Sequence, residues 1–149
     1  MRSGTGSSMG TILCVLLLCL AMGCGPKEAR GGIPPEVDSV VGTVTDDIAE
    51  ERYDKVYDDS SELWKRDATK EQSASVLKTL HSRLGDVENR VLHSATEQQN
   101  SGGSLKGRAF IISFQTKFER GEGMETFTLV EENGRWLLAR YLVNSTALK

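Results

Sequence analysis

The chain has 149 residues, 38% of them hydrophobic and 26% charged, which gives room for one domain with its own core once a leader is set aside. Its 18 basic and 21 acidic residues leave a net charge of −3; that excludes the basic footprint of a nucleic-acid surface, and no polybasic run is present for anionic lipid. All three cysteines, Cys14, Cys19 and Cys24, sit at the N-terminus, so the body holds neither a disulfide framework nor a cysteine-based metal site.

The first predicted element is a leader. Residues 1–11 are polar, with Arg2 positive, and residues 12–22 are continuously apolar. That run is too short to span a bilayer, which takes about 20 apolar residues. It has the length of a signal-peptide core. The segment Ala21-Met22-Gly23-Cys24 resembles the lipobox of bacterial lipoproteins, with Ala21 where Leu is usual and Met22 where Ala or Ser is usual. The resemblance implies cleavage before Cys24 and lipid on its sulfur and new amino group, leaving residues 1–23 as signal peptide. It implies an exported protein held to the cell envelope through Cys24. Gly25 stands where an Asp would mark inner-membrane retention, so the expected place is the outer membrane, facing the periplasm. A plain secretory signal would instead leave Cys24 as a free thiol in an oxidising compartment.

Residues 24–36 hold all three prolines and several glycines and read as a lipidated tether, with Pro34-Pro35 as a helix entry. The domain is expected over 37–149. Val37, Val40, Val41, Val44 and Ile48 recur at helical spacing. Ala49, Tyr53, Val56 and Tyr57 form a second apolar stretch, ended by Asp58-Asp59-Ser60-Ser61. Leu63 and Trp64 anchor one or two further turns. Thr69-Lys70-Glu71-Gln72 reads as a capping box. Ala74, Leu77, Leu80 and Leu84 form the stripe that follows, and Gly85 supplies the stop; the helix is expected over 69–84.

From Asp86 the period becomes two. Val87 to Glu97 reads as a strand, with a turn at Asn100-Ser101-Gly102-Gly103. Phe110, Ile112, Phe114 and Phe118 then share one face. Gly121-Glu122-Gly123 is expected as a turn, Met124 to Glu132 as the third strand and Arg135 to Val143 as the fourth. Asn133-Gly134 is the hairpin signal. It sets Glu132 opposite Arg135, Leu129 opposite Leu138 and Phe127 opposite Arg140, with Val130, Leu137, Ala139 and Tyr141 on the other face. Both faces are apolar, so one needs helices over it and the other needs shielding by curvature or a partner.

Helices followed by a four-stranded antiparallel meander predict an α+β fold, with N-terminal helices packed on a curved sheet. Several segments resemble exported domains of the nuclear transport factor 2-like (cystatin-like) superfamily. They are Glu51 to Tyr57, Leu63-Trp64-Lys65, Thr69 to Gln72, Leu84-Gly85, Phe110 to Phe114 and Gly134 to Tyr141. The resemblance implies a fold and not a reaction.

Enzymes with this cone-like fold, such as ketosteroid isomerase, hold an acid or His base and a donor such as Tyr in an apolar pocket. By strict alternation His93 and Asn89 share a face with Val87, Val91 and Ala95. They are therefore the candidate pocket groups, with Tyr141 as donor and Trp64 as a wall; the plain alternative for His93 is a surface histidine. His81, at the edge of its helix stripe, reads as a packed boundary residue. The two histidines lack metal-ligand spacing. The acidic pairs Asp46-Asp47, Glu50-Glu51 and Asp58-Asp59 read as solvated helix faces, without the glycine-containing calcium-loop pattern. No Gly-x-Ser-x-Gly elbow occurs. No catalytic residue, metal or cofactor is predicted. The expected function is a non-enzymatic binding module that docks an envelope protein, pairs with a second copy through the sheet, or holds a small apolar ligand. The alternatives are a pocket enzyme of isomerase or hydratase type using His93, and an accessory subunit of an envelope complex.

Overall fold

The structure is a computed structural model that describes residues 32–149; the predicted signal peptide, Cys24 and most of the tether lie outside the described residues. Four helices come first: α1 (Pro35–Ala49), α2 (Tyr53–Asp58), α3 (Glu62–Asp67) and α4 (Lys70–Leu84). Four strands follow: β1 (Val87–Asn100), β2 (Gly107–Phe118), β3 (Gly121–Glu132) and β4 (Arg135–Ser145), closed by a 3₁₀ turn at Thr146–Leu148. The strands pair antiparallel in the order β1-β2-β3-β4, an open meander. The fold is α+β, helices before sheet. No helix among the described residues is long and apolar enough to cross a membrane.

Local chemistry sets the helix ends. Pro35 occupies the first position of α1, where its missing N–H costs nothing. The α4 capping box is complete: the Thr69 hydroxyl accepts from the Gln72 N–H at 3.2 Å, and the Gln72 side chain accepts from the Thr69 N–H at 2.9 Å. Gly85 ends α4 with φ 75° and ψ −167°, a conformation that a side chain would strain.

Val37, Val41 and Val44 of α1, Tyr53 and Val56 of α2 and Leu77 of α4 pack on Phe110, Ile112, Phe127, Leu129, Trp136 and Leu138. Each such side chain contributes about 1.5–3 kcal/mol when taken fully from water. Ile33 joins this core, so packing begins within the expected tether, ahead of Val37. On the opposite sheet face, Ala109, Val130 and Ala139 form a smaller cluster covered by Leu63 of α3 and by Leu105 of the β1–β2 loop. The helical layer thus reaches round to shield part of the second face.

Three bulges separate the sheet from simple alternation. Register shifts lie between Val87 and Asn89, between Leu92 and Ser94, and beside the Thr128–Leu129 step. Glu132 opposes Arg135 and Leu129 opposes Leu138, as expected, but Phe127 opposes Tyr141 rather than Arg140. One unpaired residue, Ala139, moves Tyr141 onto the helix-covered face. The β2–β3 turn is Glu119-Arg120, with Phe118 opposite Gly121, so it begins two residues before the expected Gly121-Glu122-Gly123 turn, and those three residues belong to β3.

Candidate functional site

The inner face of β3 carries Glu125 in phase with Phe127 and Leu129, and all three are fully buried. A carboxylate there needs donors for both oxygens, and three strands supply them. Arg90 of β1 donates from Nε to Oε2 at 2.6 Å and from Nη2 to Oε1 at 3.1 Å. Thr116 of β2 donates to Oε2 at 2.6 Å, and Tyr141 of β4 donates to Oε1 at 2.6 Å. The first β1 bulge sets Arg90 opposite Thr116, and the β4 bulge brings in Tyr141. Burial, followed by the neighbouring Glu125 charge, raises the Tyr141 phenol well above its ordinary value, so Tyr141 remains a donor.

Two members of this network, Arg90 and Tyr141, line a cavity of about 380 Å³. The C-terminal end of α1, the last turns of α4 and the start of β1 enclose it. Ile48, Leu77, Leu80, Leu84, Val87 and Phe118 make its apolar lining, while Arg90 and Tyr141 bring polar atoms to it. At the rim stands His81. Its Nε2 lies 2.8 Å from an Asp86 carboxylate oxygen, and its Nδ1 lies 2.9 Å from the Tyr53 hydroxyl. A carboxylate only accepts, so Nε2 carries the proton and, in the neutral ring, Nδ1 accepts from Tyr53. Burial and the charges of Glu51 and Asp86 raise the Tyr53 phenol, which keeps that donor protonated. His81 also borders an open groove that contains Tyr53, Lys78 and Arg120, so it stands in a shared wall.

Of the four predicted pocket residues, Tyr141 lines the cavity. Asn89 and His93 are exposed and outside the cavity wall. The bulges in β1 turn Arg90, Leu92 and Ala95 toward the helices in their place. Trp64 packs at the edge of the main core, and its indole N–H donates to Ser73 Oγ at 2.9 Å; it fixes α3 to α4 and does not line the cavity. Sequence reasoning missed Glu125, although its phase with Phe127 and Leu129 was a signal. It missed Arg90 because the bulges were invisible, and gave His81 a packing role without its two partners. Among the described residues no group of three or more His, Cys, Asp or Glu is arranged to hold a metal.

A family profile described as "Protein of unknown function (DUF4019)" matches residues 43–141. The chain belongs to the DUF4019 family. The DUF4019 span begins inside α1 and ends at Tyr141, so it contains Tyr53, His81, Asp86, Arg90, Thr116 and Glu125. No curated protein matches the chain.

Proposed function

We propose that this DUF4019 protein is an exported lipoprotein whose domain is a non-enzymatic binding module, holding a small, mostly apolar ligand between α4 and the sheet. The observation that carries it is the 380 Å³ cavity, within the size of small-molecule sites, with apolar walls and a few fixed polar groups. Helices laid over an antiparallel meander support the reading of the fold as nuclear transport factor 2-like (cystatin-like). Membrane attachment rests on the leader and on Cys24.

Binding is preferred to catalysis because no free acid–base pair faces the cavity: both His81 nitrogens and both Glu125 oxygens are engaged, and His93 lies outside it. It is preferred to docking through the sheet because the exposed apolar side chains of the outer face, Val91 and Leu142, sit on β1 and β4 at opposite edges.

Two measurements test this. Solvent extracts of the protein purified from its own envelope, compared by mass spectrometry, should contain an amphiphile that a Leu80→Trp variant has lost; identical extracts overturn the binding role. The intact mass should show a chain beginning at an acylated Cys24, and an uncut or unacylated chain overturns the anchoring.

A further inference from the structure

Resting on the cavity-binding role above, we propose that the cavity selects a neutral amphiphile: an aliphatic body whose hydroxyl, carbonyl or amide head accepts a hydrogen bond from Arg90. Both charges at the inner wall are already matched. Glu125 takes the Nε and Nη2 edge of the guanidinium, and the paired ions present no net charge to a ligand. Arg90 Nη1 makes no hydrogen bond to any described residue, and it is not among the buried unsatisfied atoms. Arg90 lines the cavity with its side chain 25% exposed. Its remaining N–H groups are therefore available, and the bidentate clamp on Glu125 holds their direction without a ligand.

The rest of the lining argues against an anion. Arg90 is the one fixed cation there; Asp46 and Asp86 are both acidic. Asp86 is taken by His81, while the exposed Asp46 carboxylate accepts no hydrogen bond within the described structure. An anionic head would meet a neutralised arginine and the unpartnered Asp46 carboxylate, a like-charge penalty. A cationic head would meet the free guanidinium N–H groups. A neutral head satisfies Nη1 with its oxygen, and the apolar wall takes the chain.

The test uses the full chain held in amphipol, with ¹³C-labelled leucine and valine methyl groups. It is titrated with 1-hexanol, hexanamide, hexanoate and hexylammonium, four probes of one chain length. Shifts at Leu80, Leu84 and Val87 should give hexanol and hexanamide dissociation constants at least tenfold below those of the two ions. In the double variant Arg90→Met with Glu125→Gln, that preference should shrink to less than threefold while hexanol still binds. Equal binding of all four probes, or tighter binding of either ion, overturns the head-group inference and leaves the cavity role standing. No cavity shift with any probe overturns both. If the double variant does not fold, the wild-type ranking alone decides.

Discussion

Arg90 and Glu125 lie on strands separated by β2, yet their side chains meet edge to edge, at 2.6 Å from Nε to Oε2 and 3.1 Å from Nη2 to Oε1. The carboxylate is fully out of water, so the pair ties β1 to β3 through the layer that the helices cover. Removing one partner strands the other charge. Arg90→Met alone is expected to cost about 3–5 kcal/mol, and combining it with Glu125→Gln should recover much of that, because no buried charge is then left unpaired and the amide can still accept from one of the Thr116 and Tyr141 hydroxyls while its NH₂ donates to the other. Urea unfolding midpoints at unchanged slope measure both. A single variant within about 1 kcal/mol of the wild type would show that the pair carries little of the stability.

Tyr141 gives the same network an alkaline signature. Its phenol titrates later in the fold than in the unfolded chain, as does that of Tyr53. The unfolded chain therefore gives up these protons first, and stability is complete below about pH 10 and falls as pH rises through the folded values. Tyr141→Phe should flatten that loss. Near neutral pH it should also cost about 1.5–3 kcal/mol for the hydrogen bond to a charged acceptor. Absorbance titration of tyrosinate in the variant should lack the latest step; retention of that step would assign it elsewhere.

On the acid side the relevant group is Asp47 of α1, which is buried. Burial alone would raise its carboxyl, but hydrogen bonds from Lys55 (3.0 Å) and Arg52 (2.8 Å) outweigh it, and the net value falls below the usual range. A depressed folded value contributes stability that is present above about pH 4 and lost as pH falls through the folded value. Asp47→Asn should lower stability at neutral pH and make the acid slope shallower. Unfolding curves collected between neutral pH and strong acid check this, and parallel curves for variant and wild type would contradict it.

The sequence's legibility followed the local character of each signal. The Thr69 capping box, the Gly85 stop and the Asn133-Gly134 hairpin depend on neighbouring residues, and each formed as its local chemistry requires. Alternation held along β2, where Phe110, Ile112 and Phe118 all entered the core. It failed along β1 and in the middle of β4, because a bulge inserts one residue and exchanges the faces beyond it. Strict alternation points His93 and Asn89 inward for that reason, and it sets Tyr141 on the face away from Phe127, although Tyr141 lines the cavity as expected. The candidate site is built from what those shifts bring together. Arg90 and Tyr141 reach Glu125 through bulged strands, and no window shorter than the whole sheet contains the information.

The corner between α4 and β1 offers a prediction that separates backbone strain from loss of contact. Gly85 has φ 75°, and a Cβ there would lie 2.8 Å from Glu119 Cβ. That corner is clamped to the β2–β3 turn: the Glu119 N–H donates to the Asp86 carbonyl at 3.0 Å, the Arg120 N–H to the Leu84 carbonyl at 2.9 Å, and the Asp86 N–H to Glu119 Oε2 at 3.2 Å. Gly85→Ala should therefore cost at least about 1–3 kcal/mol from the backbone conformation, with the clash in addition. It should also displace Asp86 from His81 Nε2, whose proton is held by that 2.8 Å bond. Long-range ¹H–¹⁵N spectra of the His81 ring report which nitrogen is protonated, and the variant should show a mixture where the wild type shows Nε2–H. Gly102→Ala, in the β1–β2 loop with open space around its Cβ position, is the control and should leave both stability and the ring spectrum unchanged. If both variants behave alike, Gly85 does not set the geometry of the His81 rim.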